Sequence, residues 1–238
     1  MTNIEELAYH QTPLGELTLR RRIETLLQDS VVYEVKLGDD FLMSSLFTEG
    51  EKALANLGLA ALDGELEVVV GGLGLGYTAA AALDNKKVSK LLVIDLFEEV
   101  IGWHRDKLVP VGKILTEDNR CVLRQGDFFT LARTGLDIFD NQRKFDAVLL
   151  DIDHSPEHFL DERNETFYGA EGLNTIRKQL KPNGAFALWS NEPADAEFTK
   201  RLESVFGEAA AENVEFRNPY TNSVSVNAVY VAHNKKPL

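Results

Sequence analysis

The chain has 238 residues, of which 44% are hydrophobic, a composition typical of one globular domain of ordinary size with at most a small appendage. Its 25 basic and 38 acidic residues give a formal net charge of −13, which disfavours a nucleic acid partner. Such a charge would attract a cationic small molecule, but acidity that serves only solubility is the favoured explanation. The longest uncharged run, residues 68–83, has 16 residues, and a membrane helix needs about 20. The single cysteine, Cys121, permits no internal disulfide and predicts a reducing, cytoplasmic compartment.

The first 48 residues predict a small β unit. Apolar and polar residues alternate over residues 14–22 and 31–37, and the turn Gly38-Asp39-Asp40 leads into another apolar stretch. A period of two with turn residues between the runs predicts antiparallel strands. The exposed edges of such a unit can pair between subunits, so a homodimer is left open.

After residue 48, helical and strand patterns alternate. Apolar residues share one helical face over residues 51–62, and further helices are predicted from residue 77 and over 98–108 and 170–180. Short apolar runs predict strands over residues 66–70, 90–94, 121–124, 145–151 and 184–190. This alternation predicts an α/β, Rossmann-like, doubly wound and mostly parallel sheet over residues 49–238, beside the N-terminal β unit at 1–48. A loop joins the last two predicted strands, which makes them an antiparallel hairpin at the sheet edge: 213–217 and 226–232.

A glycine-rich turn follows the first buried strand and opens a helix. Its glycines, Gly72, Gly74 and Gly76, allow the backbone to approach a ligand closely. A dinucleotide fingerprint needs a glycine where this chain has Tyr77, and a large side chain there hinders a pyrophosphate. The spacing therefore disfavours a nicotinamide oxidoreductase, while a glycine-rich strand exit without a ligand remains the structural alternative.

Two acidic residues end the next two strands. Asp95 lies 19 residues beyond Gly76, where an acid can hold both ribose hydroxyls. Asp127 can bind the edge of an adenine, with Phe128 covering the ring. Each acid alone also fits a helix cap or a solvated loop end. Together with the glycine turn, at the carboxyl ends of consecutive strands, they predict a nucleoside site.

In combination, these motifs resemble the class I S-adenosylmethionine-dependent transferases, and among them the spermidine synthase branch. The turn at residues 68–76 resembles that family's glycine loop, and Asp95 stands at the position of its ribose-binding glutamate. Gly126-Asp127 resembles its adenine motif, and residues 145–151 resemble the strand that ends in its catalytic aspartate. Residues 180–186 resemble the turn before its fifth strand. The resemblance implies S-adenosylmethionine, or its decarboxylated form, as co-substrate.

The chain departs from that branch on the acceptor side. Aminopropyltransferases hold a polyamine with a Gln, an Asp-Glu pair and a Tyr, whereas residues 41–51 here contain none of these. After the fourth strand, the family's Asp-Ser-Ser-Asp-Pro is replaced by a longer Asp151-Ile-Asp153-His154-Ser155-Pro156. Transfer of a methyl group to a small nucleophilic acceptor, such as an amine, is therefore slightly favoured. A true polyamine aminopropyltransferase with an altered acceptor site and a non-catalytic nucleoside-binding protein remain alternatives.

The candidate catalytic residues follow that same strand. Asp151 would face the sulfonium carbon and orient an amine or hydroxyl, and alignment of two reactants is the main contribution that such a reaction needs from the protein. Histidine is the side chain suited to proton transfer near neutral pH, so His154 ranks second, with Asp153 third. His158 is expected to be a solvated loop side chain. No spacing matches a metal signature, so no metal is predicted, and a Mg²⁺ ion held by Asp151 and Asn191 is the less favoured alternative.

Overall fold

A computed structural model of the chain describes residues 4–137 and 142–235; residues 1–3 and 236–238 of the two predicted domains lie outside this description. Its first sheet is antiparallel, and its strands lie in chain order: β1 (Ile4–Thr12), β2 (Gly15–Glu24), β3 (Ser30–Leu37) and β4 (Asp40–Ser44). Leu17 and Leu19 on β2 are buried opposite Leu37 and Val35 on β3, as their alternation predicts. The antiparallel unit is confirmed, and β1 adds a strand that the sequence reading missed.

The second sheet has seven strands in the order β10-β11-β9-β8-β5-β6-β7. The central strands pair in parallel, and β11 pairs antiparallel with β9 and with β10. This confirms the mostly parallel α/β sheet with an antiparallel C-terminal hairpin. The strands are β5 (Leu66–Gly71), β6 (Val88–Asp95), β7 (Cys121–Gln125), β8 (Phe145–Leu150), β9 (Leu180–Ser190), β10 (Gly207–Asn218) and β11 (Ser223–Asn234).

Helices cover both faces of this sheet. The third helix ends three residues before its predicted end because Lys107 adopts a positive φ of 59°, which a helix does not accommodate. Among the described residues, no helix has the length and apolar character needed to cross a bilayer. The helices are α1 (Glu49–Ala60), α2 (Tyr77–Asp84), α3 (Glu98–Arg105), α4 (Gly112–Glu117), α5 (Phe128–Thr134), α6 (Ala170–Gln179) and α7 (Ala196–Phe206).

Two clusters of buried side chains form the core. One is continuous from the N-terminal sheet through α1 and α2 to the large sheet, and it includes Leu17, Leu54 and Val70. The other is rich in aromatic rings and fills the opposite face beneath α5, α6 and α7. Because the first cluster spans both sheets, it holds the N-terminal sheet beside the carboxyl ends of the parallel strands.

The turn between β5 and α2 depends on glycine for two separate reasons. Gly72 has a φ of +94°, and a Cβ there would overlap the carbonyl oxygen of Asp151. Gly64 provides a comparison, since its φ of +83° is similar but open space surrounds its Cα. A substitution at Gly64 therefore measures the cost of the backbone conformation alone, and one at Gly72 adds the cost of steric overlap with Asp151.

We expect Gly64→Ala to lower the free energy of unfolding by about 1–2 kcal/mol, the cost of a left-handed conformation for an L-residue. Gly72→Ala should lower it clearly further, because the end of β8 must also move. Equilibrium unfolding in urea measures both values. Equal losses for the two variants would contradict the close packing of the turn against Asp151.

Candidate functional site

A cavity of about 250 Å³ lies between the carboxyl ends of the parallel strands and the N-terminal sheet. Seven of the nine site residues predicted from the sequence line it: Gly72, Gly74, Asp95, Asp127, Phe128, Asp151 and His154. The other two, Gly76 and Asp153, lie behind the cavity wall and have structural contacts of their own. A cavity therefore lies at the strand ends where the nucleoside site is predicted, and two of the predicted site residues do not line it.

Asp95 holds the glycine turn in place. One carboxylate oxygen accepts a hydrogen bond of 2.8 Å from the backbone N–H of Leu73, and the other accepts one of 2.9 Å from Phe97. Burial raises the pKa of this carboxyl, while the backbone donors oppose that shift. Because a carboxylate offers about four acceptor positions, Asp95 can hold the turn and still accept a ribose hydroxyl.

Two side chains support the turn at Gly74. The Sδ atom of Met43, on β4, accepts a hydrogen bond from the N–H of Leu75 at 3.0 Å. The Nε2 atom of His104, on α3, lies 2.8 Å from the carbonyl oxygen of Gly74. Burial lowers the pKa of His104 to about 4, so the ring is neutral at pH 7 and its Nε2–H donates to that carbonyl. A side chain at Gly74 would overlap Met43, so the N-terminal sheet itself shapes this turn.

Gly76 differs from the role predicted for it. It lies at the start of α2 with a φ of +90°, and a Cβ there would press on His104, Val111 and Leu115. Glycine is needed at this position because α2 begins close against α3 and α4. Gly76 thus packs the helix start instead of lining the cavity.

Asp127 caps a helix and lines the cavity. Its Oδ1 atom accepts hydrogen bonds from the N–H groups of Phe129 and Thr130, at 3.0 and 3.3 Å, as an N-cap residue does. Phe128 is only 2% exposed, and it packs against Gly71 and edge-to-face with other aromatic rings. Phe128 therefore lies at the base of the cavity, with little surface free to cover an adenine ring. Leu96, 42% exposed and also lining the cavity, is a better-placed apolar surface for a flat ring.

The sequence reading missed Glu51, which lies with Asp151 in the cavity lining. Asp151 accepts a hydrogen bond of 2.6 Å from the hydroxyl of Thr78, and burial raises its pKa to about 6. Burial and, second, the charge of Asp151 raise the pKa of Glu51 to about 8. At pH 7 the pair therefore holds about one negative charge. The signal for Glu51 was its place on the helical face that also buries Leu54 and Gly58.

Asp153 anchors the segment that follows β8. Its buried carboxylate accepts hydrogen bonds from the N–H of Leu160 at 2.7 Å, the amide of Asn164 at 3.1 Å and the hydroxyl of Tyr168 at 2.7 Å. This network occupies both carboxylate oxygens. Asp153 is therefore a structural residue of the loop, against its ranking as a third catalytic candidate.

His154 is half-buried and lines the cavity. Its carbonyl oxygen accepts a hydrogen bond of 2.7 Å from the N–H of Asn191, which joins the loops after β8 and β9. His158 is largely exposed, as expected, and its Nδ1 atom lies 3.1 Å from a carboxylate oxygen of Glu192. Within residues 4–137 and 142–235, no three His, Cys, Asp or Glu side chains form a group that could hold a metal ion.

The charges in the cavity lining are unevenly distributed. Two arginines that line it lie beside α5 and the segment after β8: Arg133 reaches the hydroxyl of Thr130, and Arg163 pairs with Asp161. The carboxyls of Glu51 and Asp151 lie together where α1 and α2 meet the end of β8, a part of the cavity that we call the inner end. The described lining thus has two carboxyls at its inner end and its two arginines beside Thr130 and Asp161.

Comparison with known proteins gives related folds at low sequence identity. No family model matches the chain. A polyamine aminopropyltransferase of Sulfolobus acidocaldarius is 21% identical over 178 residues, which are 75% of this chain and 50% of that one. The chain therefore spans about half the length of this curated relative.

Solved structures match over almost the whole chain. Spermidine synthase from Thermotoga maritima has a TM-score of 0.72 at 15% identity, covering 96% of this chain and 72% of its own. A spermidine synthase in complex with the transition state analogue AdoDATO has a TM-score of 0.74 at 15% identity, and the match covers 96% of this chain and 73% of that one. A probable spermidine synthase from Corynebacterium glutamicum has a TM-score of 0.65 at 13% identity, and the match covers 97% of this chain and 81% of that one. The chain has the fold of the spermidine synthase-like class I S-adenosylmethionine-dependent transferases.

Proposed function

We propose that this protein is a transferase that moves the aminopropyl group of decarboxylated S-adenosylmethionine to a small amine. The observation that carries the proposal is the carboxyl pair Glu51 and Asp151 at the inner end of a cavity whose lining also includes Asp95 and Asp127. The likeness to an aminopropyltransferase and to spermidine synthases supports aminopropyl transfer over the methyl transfer that the sequence slightly favoured.

The adenosine part of the donor fits the features around the glycine turn. Gly72 and Gly74 line the cavity, and the absence of their side chains lets the turn pack against Asp151 and Met43 with its backbone at the cavity surface. Asp95 has acceptor positions left for the ribose hydroxyls, and Asp127 for the adenine amino group. Leu96 offers an exposed apolar surface to the ring.

The acidic inner end favours the decarboxylated donor. The tail of this donor ends in an ammonium, whereas the tail of S-adenosylmethionine also carries a carboxylate. A carboxylate beside Glu51 and Asp151 would be repelled, and the two lining arginines, Arg133 and Arg163, have partners of their own. An ammonium is attracted to the same position.

The donor supplies a sulfonium, whose bond to the aminopropyl carbon breaks as a new carbon–nitrogen bond forms, with the electron pair left on sulfur. The chain's own contribution is alignment, which can lower the barrier by about 7–11 kcal/mol, and removal of a proton from the acceptor ammonium. Asp151, ionised above a pH of about 6, accepts that proton. Glu51, largely protonated at pH 7, limits the negative charge at this end and donates a hydrogen bond.

Two further expectations accompany this proposal. We expect the reaction to take place in the cytoplasm, because a chain with a single cysteine, Cys121, cannot form an internal disulfide and suits a reducing compartment. A homodimer formed through the edge strands of the N-terminal sheet, β1 or β4, stays a prediction.

Calorimetric titration tests the donor. Decarboxylated S-adenosylmethionine should bind at least about tenfold more tightly than S-adenosylmethionine, equivalent to about 1.4 kcal/mol. Methylthioadenosine, the expected product, should bind as well, and Asp95→Ala should weaken all three. Tighter binding of S-adenosylmethionine would return the assignment to methyl transfer, and binding of none would refute the transferase.

Two neighbouring aspartates separate catalysis from structure. Asp151→Asn should reduce turnover by about 10²–10⁴-fold with little change in methylthioadenosine affinity, because it removes the proton acceptor. Asp153→Asn, the same change two residues later, should lower the free energy of unfolding by about 1–3 kcal/mol and preserve turnover of the folded protein. Full turnover by Asp151→Asn would exclude it as the proton acceptor.

The pH dependence of kcat/KM tests the proton acceptor directly. Because Asp151 acts in its ionised form, kcat/KM should fall as the pH drops through about 6. The hydroxyl of Thr78 lowers the pKa of Asp151, so Thr78→Val should move this acidic limb to higher pH. Thr116→Val, which removes a hydroxyl bonded to the backbone of α4, is the matched control and should leave the limb in place. An unmoved limb in Thr78→Val would assign it to another group.

A further inference from the structure

The wall of the cavity opposite the strand ends is apolar. It is formed by inward-facing residues of β2 and β3, which alternate with outward-facing polar residues, and by two consecutive residues at the bulge of β4. We call this surface the acceptor wall; it consists of Leu17, Val35, Leu37, Leu42 and Met43. A molecule bound between the wall and Asp151 would therefore have its body against hydrocarbon and only its reacting end against carboxyls.

The acidic side chains next to the acceptor wall in the N-terminal sheet point away from the cavity. Glu34 precedes Val35 on β3 and points to the other face, where its two oxygens lie 2.7 Å from the Nε atoms of Arg20 and Arg22. Glu16 precedes Leu17 in the same way and is exposed. Neither carboxylate is directed at the cavity.

The remaining acids of the described cavity lining have other partners. Asp95 and Asp127, at the ends of β6 and β7, bond to backbone N–H groups, and their remaining acceptor positions are those proposed for the adenosine of the donor; Asp161 pairs with Arg163. Glu51 and Asp151 are thus the carboxyls of the described lining that remain for the acceptor, with the indole ring of Trp189 packed beside Gly50. The single negative charge of this pair is shared by the ammonium of the donor tail and the reacting amino group of the acceptor, so it offers no partner to a second ammonium of the acceptor.

We propose that the acceptor is a primary monoamine with an apolar alkyl or aryl body, and not a diamine. This inference rests on the proposed function. The amino group lies at Glu51 and Asp151, gives up one proton to Asp151, and forms the bond to the aminopropyl carbon as the carbon–sulfur bond breaks toward sulfur. The product is a protonated secondary amine beside neutral methylthioadenosine. A second ammonium would lose its hydration against the acceptor wall without gaining a carboxylate, so a diamine is disfavoured.

Pairs of amines with the same carbon skeleton test this inference. Butylamine and putrescine differ by one amino group, and so do pentylamine and cadaverine. With methylthioadenosine saturating, calorimetry should give each monoamine a Kd at least about tenfold lower than that of its diamine partner. With decarboxylated S-adenosylmethionine as donor, kcat/KM measured by methylthioadenosine release should follow the same order.

A carboxylate introduced into the acceptor wall should reverse the preference. Leu42 is half-buried on the short edge strand β4, so a polar side chain is tolerated there better than at the fully buried Leu17. Leu42→Asp should improve putrescine relative to butylamine by at least about tenfold, because the second ammonium gains a partner. Leu42→Asn, with nearly the same shape and no charge, should not. The comparison of amines on the unmodified chain stands even if Leu42→Asp does not fold.

The outcomes distinguish this inference from the proposed function. If putrescine binds as tightly as butylamine or more tightly, or if neither amine binds, the assignment of the acceptor as a monoamine is overturned. Transfer to putrescine in the first case would still uphold the aminopropyltransferase. If no amine yields methylthioadenosine, the proposed function fails, and the ratio of amine affinities still decides whether the acceptor wall selects monoamines.

Discussion

The close approach of the glycine turn to the ends of β6 and β8 is the constraint on which the site depends. Gly72 lies where any side chain would overlap the carbonyl oxygen of Asp151, and Asp95 binds the N–H of Leu73 from the other side. Three strand ends are thereby fixed relative to one another by backbone contacts and one buried carboxylate. Since these contacts involve neither a lid nor a long loop, the side of the cavity proposed to hold the donor is largely formed before a ligand binds.

The features predicted correctly from the sequence are those whose cause is local. Runs of apolar residues in β5 and β8 identify strands buried on both faces, and the switch from a period of two to a helical period identifies the start of the α/β region. The missed features depend on tertiary contacts or on a single residue. The strand β1 carries acidic side chains and is stabilised by pairing with β2, and α3 ends at the unusual φ of Lys107.

The same division applies to the site. Asp95 and Asp127 follow their strands directly, so fold topology brings them to one edge. Position after the strand ranks Asp151 above Asp153 in the sequence, but the physical difference between them lies in their partners: Thr78 for one, Tyr168 and the following loop for the other. Glu51 belongs to a helix distant in sequence, and only the packing of α1 brings it to Asp151. Its one detectable signal is a charged side chain on the buried face of a helix.

The proposed donor and acceptor surfaces come from different parts of the chain, and this separation has a chemical consequence. The parallel strand ends supply the turn, Asp95 and Asp151, whereas the N-terminal sheet supplies the acceptor wall. Side chains such as Leu42 and Leu37 can therefore change without altering the contacts of Asp95 or Thr78. Met43 is the exception, since its sulfur accepts a hydrogen bond from the glycine turn itself. Substitutions at Met43 should thus affect both substrates, while those at Leu42 act on the acceptor alone.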